Sequence, residues 1–79
     1  ALSLLNNSFV LRMAHGLADR IQQQTPRDIP AQVGLVYHDV LGREPTDEEQ
    51  RAAVEFVRQV SLFDFCRVLF NCNELLYVD

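Results

Sequence analysis

Residues 61–79 read SLFDFCRVLFNCNELLYVD, and apolar side chains occupy nearly every side of the helix that this pattern predicts. Only Asp64, Arg67 and Asn71 interrupt them, at i, i+3 and i+7, so they share one narrow polar stripe. Leu62, Phe65, Cys66, Leu69 and Phe70 line one broad face, and Phe63 and Val68 another. A helix of that kind is buried on most sides. Each fully buried Leu, Val or Phe contributes roughly 1.5 to 3 kcal/mol, which makes this the element around which the others must be built.

Three more helices are predicted upstream of it. In the first, from about Ser8 to Gln24, Val10, Met13, Ala14, Leu17, Ala18 and Ile21 recur at the spacing of one buried stripe, while Arg12, His15, Gly16, Asp19 and Gln23 fall on the polar side. Asn6 or Asn7, at the end of an apolar lead-in, is placed to cap it. Thr25-Pro26-Arg27-Asp28 breaks the pattern, since proline lacks a donor and disfavours helix in the residue before it. A second helix begins near Asp28, tolerates Pro30 in its first turn and stops at Leu41 before Gly42. Its stripe is Val33, Val36, Tyr37, Val40 and Leu41, which leaves Leu35 and Ala31 on the side expected to meet solvent. Thr46-Asp47-Glu48-Glu49 is a capping box for a third helix, in which Thr46 and Glu49 satisfy each other's backbone donors. That helix runs to about Val60 with Ala53, Phe56, Val57 and Val60 inward, and with Glu48, Arg51 and Glu55 outward at spacings that allow weak ion pairs. Ser61 caps the fourth helix.

With 79 residues the chain is a single domain, residues 1–79, too short for two cores. Its 48% hydrophobic and 23% charged residues are ordinary globular usage. The net charge of -4, and basic residues that are all Arg and scattered singly, argue against a nucleic-acid or anionic-membrane partner. No apolar run approaches the roughly 20 residues that cross a bilayer. The chain opens at Ala1 without a Met or a signal-peptide pattern, from which a piece of a longer protein or a processed one is expected.

Candidate chemistry is sparse. His15 and His38 lack a second ligand at a spacing that encloses an ion, so no metal site is expected, and His15 is placed to pair weakly with Asp19. Cys66 and Cys72, six positions apart, point about 120° from one another on a helix and read as two free thiols. Haem attachment is excluded because no Cys-x-x-Cys-His is present. Neither cysteine has a neighbouring His or cationic pocket to make a thiolate nucleophile. Asp47, Glu48 and Glu49 read as residues suited to the positive end of a helix dipole rather than as ligands. Three carboxylates at the start of the third helix also rule out a DNA-reading helix-turn-helix. Asn71, Asn73 and Glu74 are the polar residues least explained by amphipathicity, and are expected to cap the end of the last helix.

Leu4-Leu5-Asn6-Asn7 before Phe9-Val10, then Leu41-Gly42-Arg43-Glu44-Pro45-Thr46, then Leu69-Phe70-Asn71-Cys72-Asn73-Glu74-Leu75-Leu76-Tyr77-Val78-Asp79 carry a resemblance. Together they look like the C-terminal segment of a planctomycete-specific domain family of unknown function. Its members are large proteins that often carry planctomycete-type cytochrome c modules elsewhere. The resemblance spans nearly the whole chain, with the terminal Asn-x-Asn-Glu-x-x-Tyr-Val pattern its most specific part, and it implies export or a periplasmic location. Ser8, His38, Cys72 and Leu75 depart from the Pro, Arg, Ser and Phe usual in that family. The family has no established catalytic residues, so none is implied here.

These readings predict an all-α, small four-helix domain, orthogonal or bundle-like, around a central, mostly buried C-terminal helix. The expected role is a non-enzymatic structural or interaction module of a larger protein, with no catalytic, cofactor-binding or metal-binding residues. The alternative is a segment completing the active site of an enzyme whose catalytic groups lie upstream. The expected partners are the rest of the parent protein and, for the isolated piece, a second copy in a homodimer.

Overall fold

Four α-helices follow one another in the computed structural model, which describes the backbone of residues 8–77 and the side chains of residues 8–72: α1 (Ser8–Gln24), α2 (Ile29–Leu41), α3 (Asp47–Gln59) and α4 (Leu62–Tyr77). No strand occurs among the described residues. The expected all-α domain is what forms. The apolar lead-in, the Asn6 or Asn7 cap and Val78 lie outside the described residues.

Local chemistry sets each boundary. Thr25 closes α1, its N–H and hydroxyl both donating to the Ile21 carbonyl at 2.9 and 3.1 Å. Arg27 turns the chain with φ 64°, an uncommon left-handed conformation for a residue with a Cβ. Asp28 then caps α2 by accepting from the Ala31 N–H. Gly42 ends α2 in the left-handed region at φ 72°, where glycine carries no steric penalty, and its N–H bonds the Tyr37 and His38 carbonyls. The capping box at Thr46 and Glu49 is complete, with the Glu49 N–H on Thr46 Oγ1 at 3.2 Å and the Thr46 N–H on Glu49 Oε1 at 2.9 Å. Ser61 begins α4, its hydroxyl oxygen accepting from the Asp64 N–H at 2.9 Å.

α4 is the common partner. It packs most extensively on α1 and also meets α2 and α3, whereas α1 and α3 do not touch among the described residues. Leu62, Phe65, Cys66 and Leu69 of α4 are buried with Ala14, Leu17, Ala18 and Ile21 of α1, Val33, Val36 and Tyr37 of α2, and Ala53 and Val57 of α3. Tilted ring contacts from Phe65 to Tyr37 and to Phe56, with centroids 6.0 and 6.3 Å apart, join α4 to both neighbours.

Several expectations about burial are corrected. Val68 is 38% exposed, and Phe63 and Phe70 are half-buried, so α4 is enclosed over one broad face and its flanks rather than on two full faces. Three short helices cannot surround a fourth. Met13 is 41% exposed because α1 is covered by only two neighbours and its buried arc narrows to Val10, Ala14, Leu17, Ala18 and Ile21. Val60 is 55% exposed, since it is the C-cap of α3 and has left helical geometry. Leu35 and Ala31 do not face open solvent; both are half-buried, and Leu35 packs against the core because α2 has neighbours on three sides. Of the outward charges on α3, Glu55 approaches Arg58 and accepts from Gln59, and no Glu48–Arg51 pair forms.

The same crowding of α2 buries a residue that periodicity left unexplained. Gln32 is 2% exposed, and its amide donates to the Thr25 carbonyl at 2.9 Å and to Gln22 Oε1 at 3.4 Å, tying the end of α1 to the start of α2. The Thr25 carbonyl, which also accepts from the Asp28 N–H at 3.3 Å, and the Gln22 amide oxygen thus supply the partners that a buried amide requires. Gln50 makes a comparable tie from α3 to the Pro30 carbonyl at 3.0 Å.

Two substitutions test this account. Leu69→Ala, at a site 6% exposed among all four helices, is expected to cost about 2 to 5 kcal/mol, read from urea melts; a change under about 1 kcal/mol would contradict its central place. Thr46→Ala is expected to cost about 0.5 to 2 kcal/mol, and an unchanged melting temperature would mean that the capping box adds nothing.

Candidate functional site

The best-formed concavity is an apolar groove of about 290 Å³ between α3 and α4, lined by Tyr37, Glu49, Ala52, Ala53, Phe56, Phe65, Val68 and Leu69. It follows from the shape of the fold. α3 and α4 are joined by a short link but share little packing, and Ala52 and Ala53 are too small to close the gap between them. Phe65 and Leu69 form its floor, and exposed Val68 stands on the α4 rim.

Polar groups at one end are already engaged. The Arg43 guanidinium grips Glu49 in a two-point pair at 2.8 and 2.9 Å, donates to the Glu44 carbonyl and lies 5.5 Å above the Tyr37 ring. The hydrogen bond from Arg43, with those from Thr46, holds the Glu49 carboxyl at about 2. Burial, and then the Glu49 charge, push the Tyr37 phenol up, with a smaller push from Cys72. The groove therefore offers apolar surface and a saturated ion pair, not a free acid or base.

The residues singled out by sequence are dispersed. His15 is exposed and stacks on Phe63, ring centroids 3.9 Å apart and planes 14° from parallel, instead of pairing with Asp19. His38 is exposed and sits 3.3 Å from Asp39 Oδ1, while Asp39 also takes Arg20 of α1 at 3.3 Å. Asp47, Glu48 and Glu49 occupy the first turn of α3, Glu49 in the capping box. Among the described residues no three of His, Cys, Asp and Glu stand together as metal ligands. Cys66 and Cys72 are free, the first buried and the second exposed. Burial pushes the Cys66 thiol up to about 12, so it stays protonated near neutral pH and cannot serve as a thiolate nucleophile.

The polar stripe of α4 closes upon itself. Asp64 accepts from the Ser61 hydroxyl at 2.8 Å and from Arg67 at 2.7 Å, and these two partners, Ser61 foremost, hold its carboxyl below the usual range. Asn71 is buried and donates to the Arg67 carbonyl at 2.8 Å, one turn back in its own helix, so it does not cap the helix end as expected. Arg67 Nε is the one buried side-chain polar atom without a hydrogen bond among the described residues. The side chains of Asn73 and Glu74 lie outside the described residues. The sequence does not anticipate the groove: it places Phe56 inward and Val68, with Phe63, on a second apolar face of α4. The available signal was that α4 carries more apolar surface than three short helices can cover.

Among known proteins, a family model described as PSD1, protein of unknown function (DUF1553), matches residues 1–57. The match ends within α3, so the terminal Asn-x-Asn-Glu-x-x-Tyr-Val pattern lies beyond it. No curated protein and no solved structure matches the chain.

The Arg43–Glu49 pair yields a pH prediction. A carboxylate whose folded-state pKa is lowered from 4.5 to about 2 adds stability that is fully present above about 4.5 and lost as pH falls toward 2. Arg43→Ala is expected to lower the melting temperature above pH 4.5 and to flatten its decline between pH 4.5 and 2. Parallel melting curves for the two proteins across that window would contradict the pairing.

Proposed function

Because the chain belongs to the PSD1 family of proteins of unknown function (DUF1553), a membership that names no chemistry, we propose that it is a non-enzymatic structural or interaction module. Its setting in this reading is a larger, exported multidomain protein, with the planctomycete-type cytochrome c modules implied by the family resemblance lying elsewhere in that parent. The observation that carries the reading is the character of the α3/α4 groove: apolar walls, and ionisable groups already bound to one another. A site for chemistry needs at least one acid, base or nucleophile left available.

The competing role, completing an enzyme's active site, would need Asn71, Asn73 and Glu74 to converge on a cleft. Asn71 is committed to a backbone carbonyl of its own helix and gives that role no support.

An interaction module should show adhesive surface when isolated. Beyond the groove, Met13 and Val60 present apolar surface to solvent, and such patches tend to find a partner. The isolated chain is expected to self-associate at micromolar concentration, as a symmetric dimer that buries the same patch twice. Sedimentation with and without a hydrophobic dye measures this. A clean monomer that also leaves the dye dark would refute the interaction reading.

A further inference from the structure

A separate cleft of about 490 Å³ lies where the α1–α2 turn meets the junction of α3 and α4. Its volume is that of a small-molecule site. Ile29, Val57 and Leu62 give it an apolar wall, and Gln22, Arg27, Gln32 and Ser61 bring polar groups to it. None of these residues lines the α3/α4 groove.

Two of the polar groups are left unanswered by the fold. Arg27 is the one charged residue of the lining, and among the described residues its guanidinium makes no hydrogen bond or ion pair. Its neighbour Asp28 is turned to the Ala31 N–H instead. The backbone holds Arg27 at φ 64°, an uncommon conformation for a residue with a Cβ, and strain of this kind clusters at ligand clamps and active sites. Gln32 is the second. Its amide nitrogen must face the Thr25 carbonyl, which can only accept, so the amide oxygen points away from that bond. No group among the described residues donates to this oxygen, and it is not sealed off, because Arg67 Nε is the one buried side-chain polar atom among them without a partner. A side chain only 2% exposed thus keeps its acceptor open to the cleft that it lines.

We propose that this cleft binds a carboxylate with an amide N–H and an aliphatic group on the adjacent carbon. That is the chemistry of an N-acylated aliphatic amino acid, free or as the last residue of a peptide. The Arg27 fork takes the carboxylate in a two-point pair, Gln32 Oε1 accepts from the N–H, and Ile29, Val57 and Leu62 cover the aliphatic group. A bare anion leaves the Gln32 oxygen unused, and an uncharged amide leaves Arg27 unused. The Ser61 hydroxyl is tied to Asp64 in both directions, so it offers no nucleophile and the ligand is held rather than turned over. Because the cleft shares no residue with the α3/α4 groove, the site stands or falls apart from self-association and dye binding.

NMR titration of the isotope-labelled 79-residue chain reads the Gln32 side-chain amide directly. N-acetyl-leucine is expected to shift that resonance together with the backbone signals of Arg27 and Leu62. N-acetyl-leucinamide, which lacks the charge, and isocaproate, which lacks the N–H, are each expected to bind about tenfold or more weakly. Arg27→Gly suits the left-handed turn, so the melting temperature should hold or rise while affinity for N-acetyl-leucine falls about tenfold or more. An acetylated peptide ending in Leu separates the sources. Tighter binding than N-acetyl-leucine upholds the site as one for a polypeptide C-terminus, and equal or weaker binding upholds it as one for the free acylated amino acid.

Equal binding of the acid and its amide, or of isocaproate, would overturn the proposal, as would affinity that survives Arg27→Gly or a Gln32 signal unmoved by millimolar N-acetyl-leucine. Displacement of N-acetyl-leucine by an equal concentration of inorganic phosphate would overturn it too, leaving a general anion site. The comparison of acid with amide is made on the unaltered chain and decides the matter without any variant.

Discussion

The constraint on which the rest depends is the need to cover α4. Its face of Leu62, Phe65, Cys66 and Leu69 would cost several kcal/mol left in water, and no other element carries so much apolar surface in one piece. Each of the other helices is defined by how it meets that face. α1 lies along it with the small residues Ala14 and Ala18, which permit close packing. α2 approaches with Val33, Val36 and Tyr37, and α3 with only Ala53 and Val57. The absence of α1–α3 contact among the described residues follows, since both are held apart by α4 and bridged beneath by α2.

Element boundaries were readable because each is set by a chemistry confined to a few neighbouring residues. The Thr46–Glu49 capping box, the Gly42 stop, the Asp28 cap and the Ser61 start depend on side chains within four positions of the groups they satisfy, so no knowledge of the tertiary fold is needed. Burial of flanking residues was less readable for the opposite reason. A periodic stripe says which side of a helix is most buried, but not how wide an arc its neighbours cover. Gln32 and Leu35 fell inside because α2 has three neighbours, and Met13 fell outside because α1 has two. His15 escaped for a related reason: the stacking partner, Phe63, is 48 positions away and nothing local identifies it.

The groove sits at the edge of what a sequence conveys. Phe56, read as inward, is half-buried, whereas Val68 is exposed, and whether α3 and α4 close over them depends on the angle between the helices. The free or bound state of the polar groups was equally hidden. Glu49 was readable as a capping residue, and its second role as the carboxylate gripped by Arg43 needed the turn at Gly42 to bring the two together.

Buried packing and exposed apolar surface are therefore carried by different atoms of the same helix. On α4 the fully buried side chains hold the fold, the Asp64–Arg67–Asn71 stripe pairs within itself through Ser61 and a backbone carbonyl except at Arg67 Nε, and Val68 with Cys72 is left outside both. Exposed Val68 can therefore be altered without disturbing buried Cys66, because the two share a helix but not a packing environment.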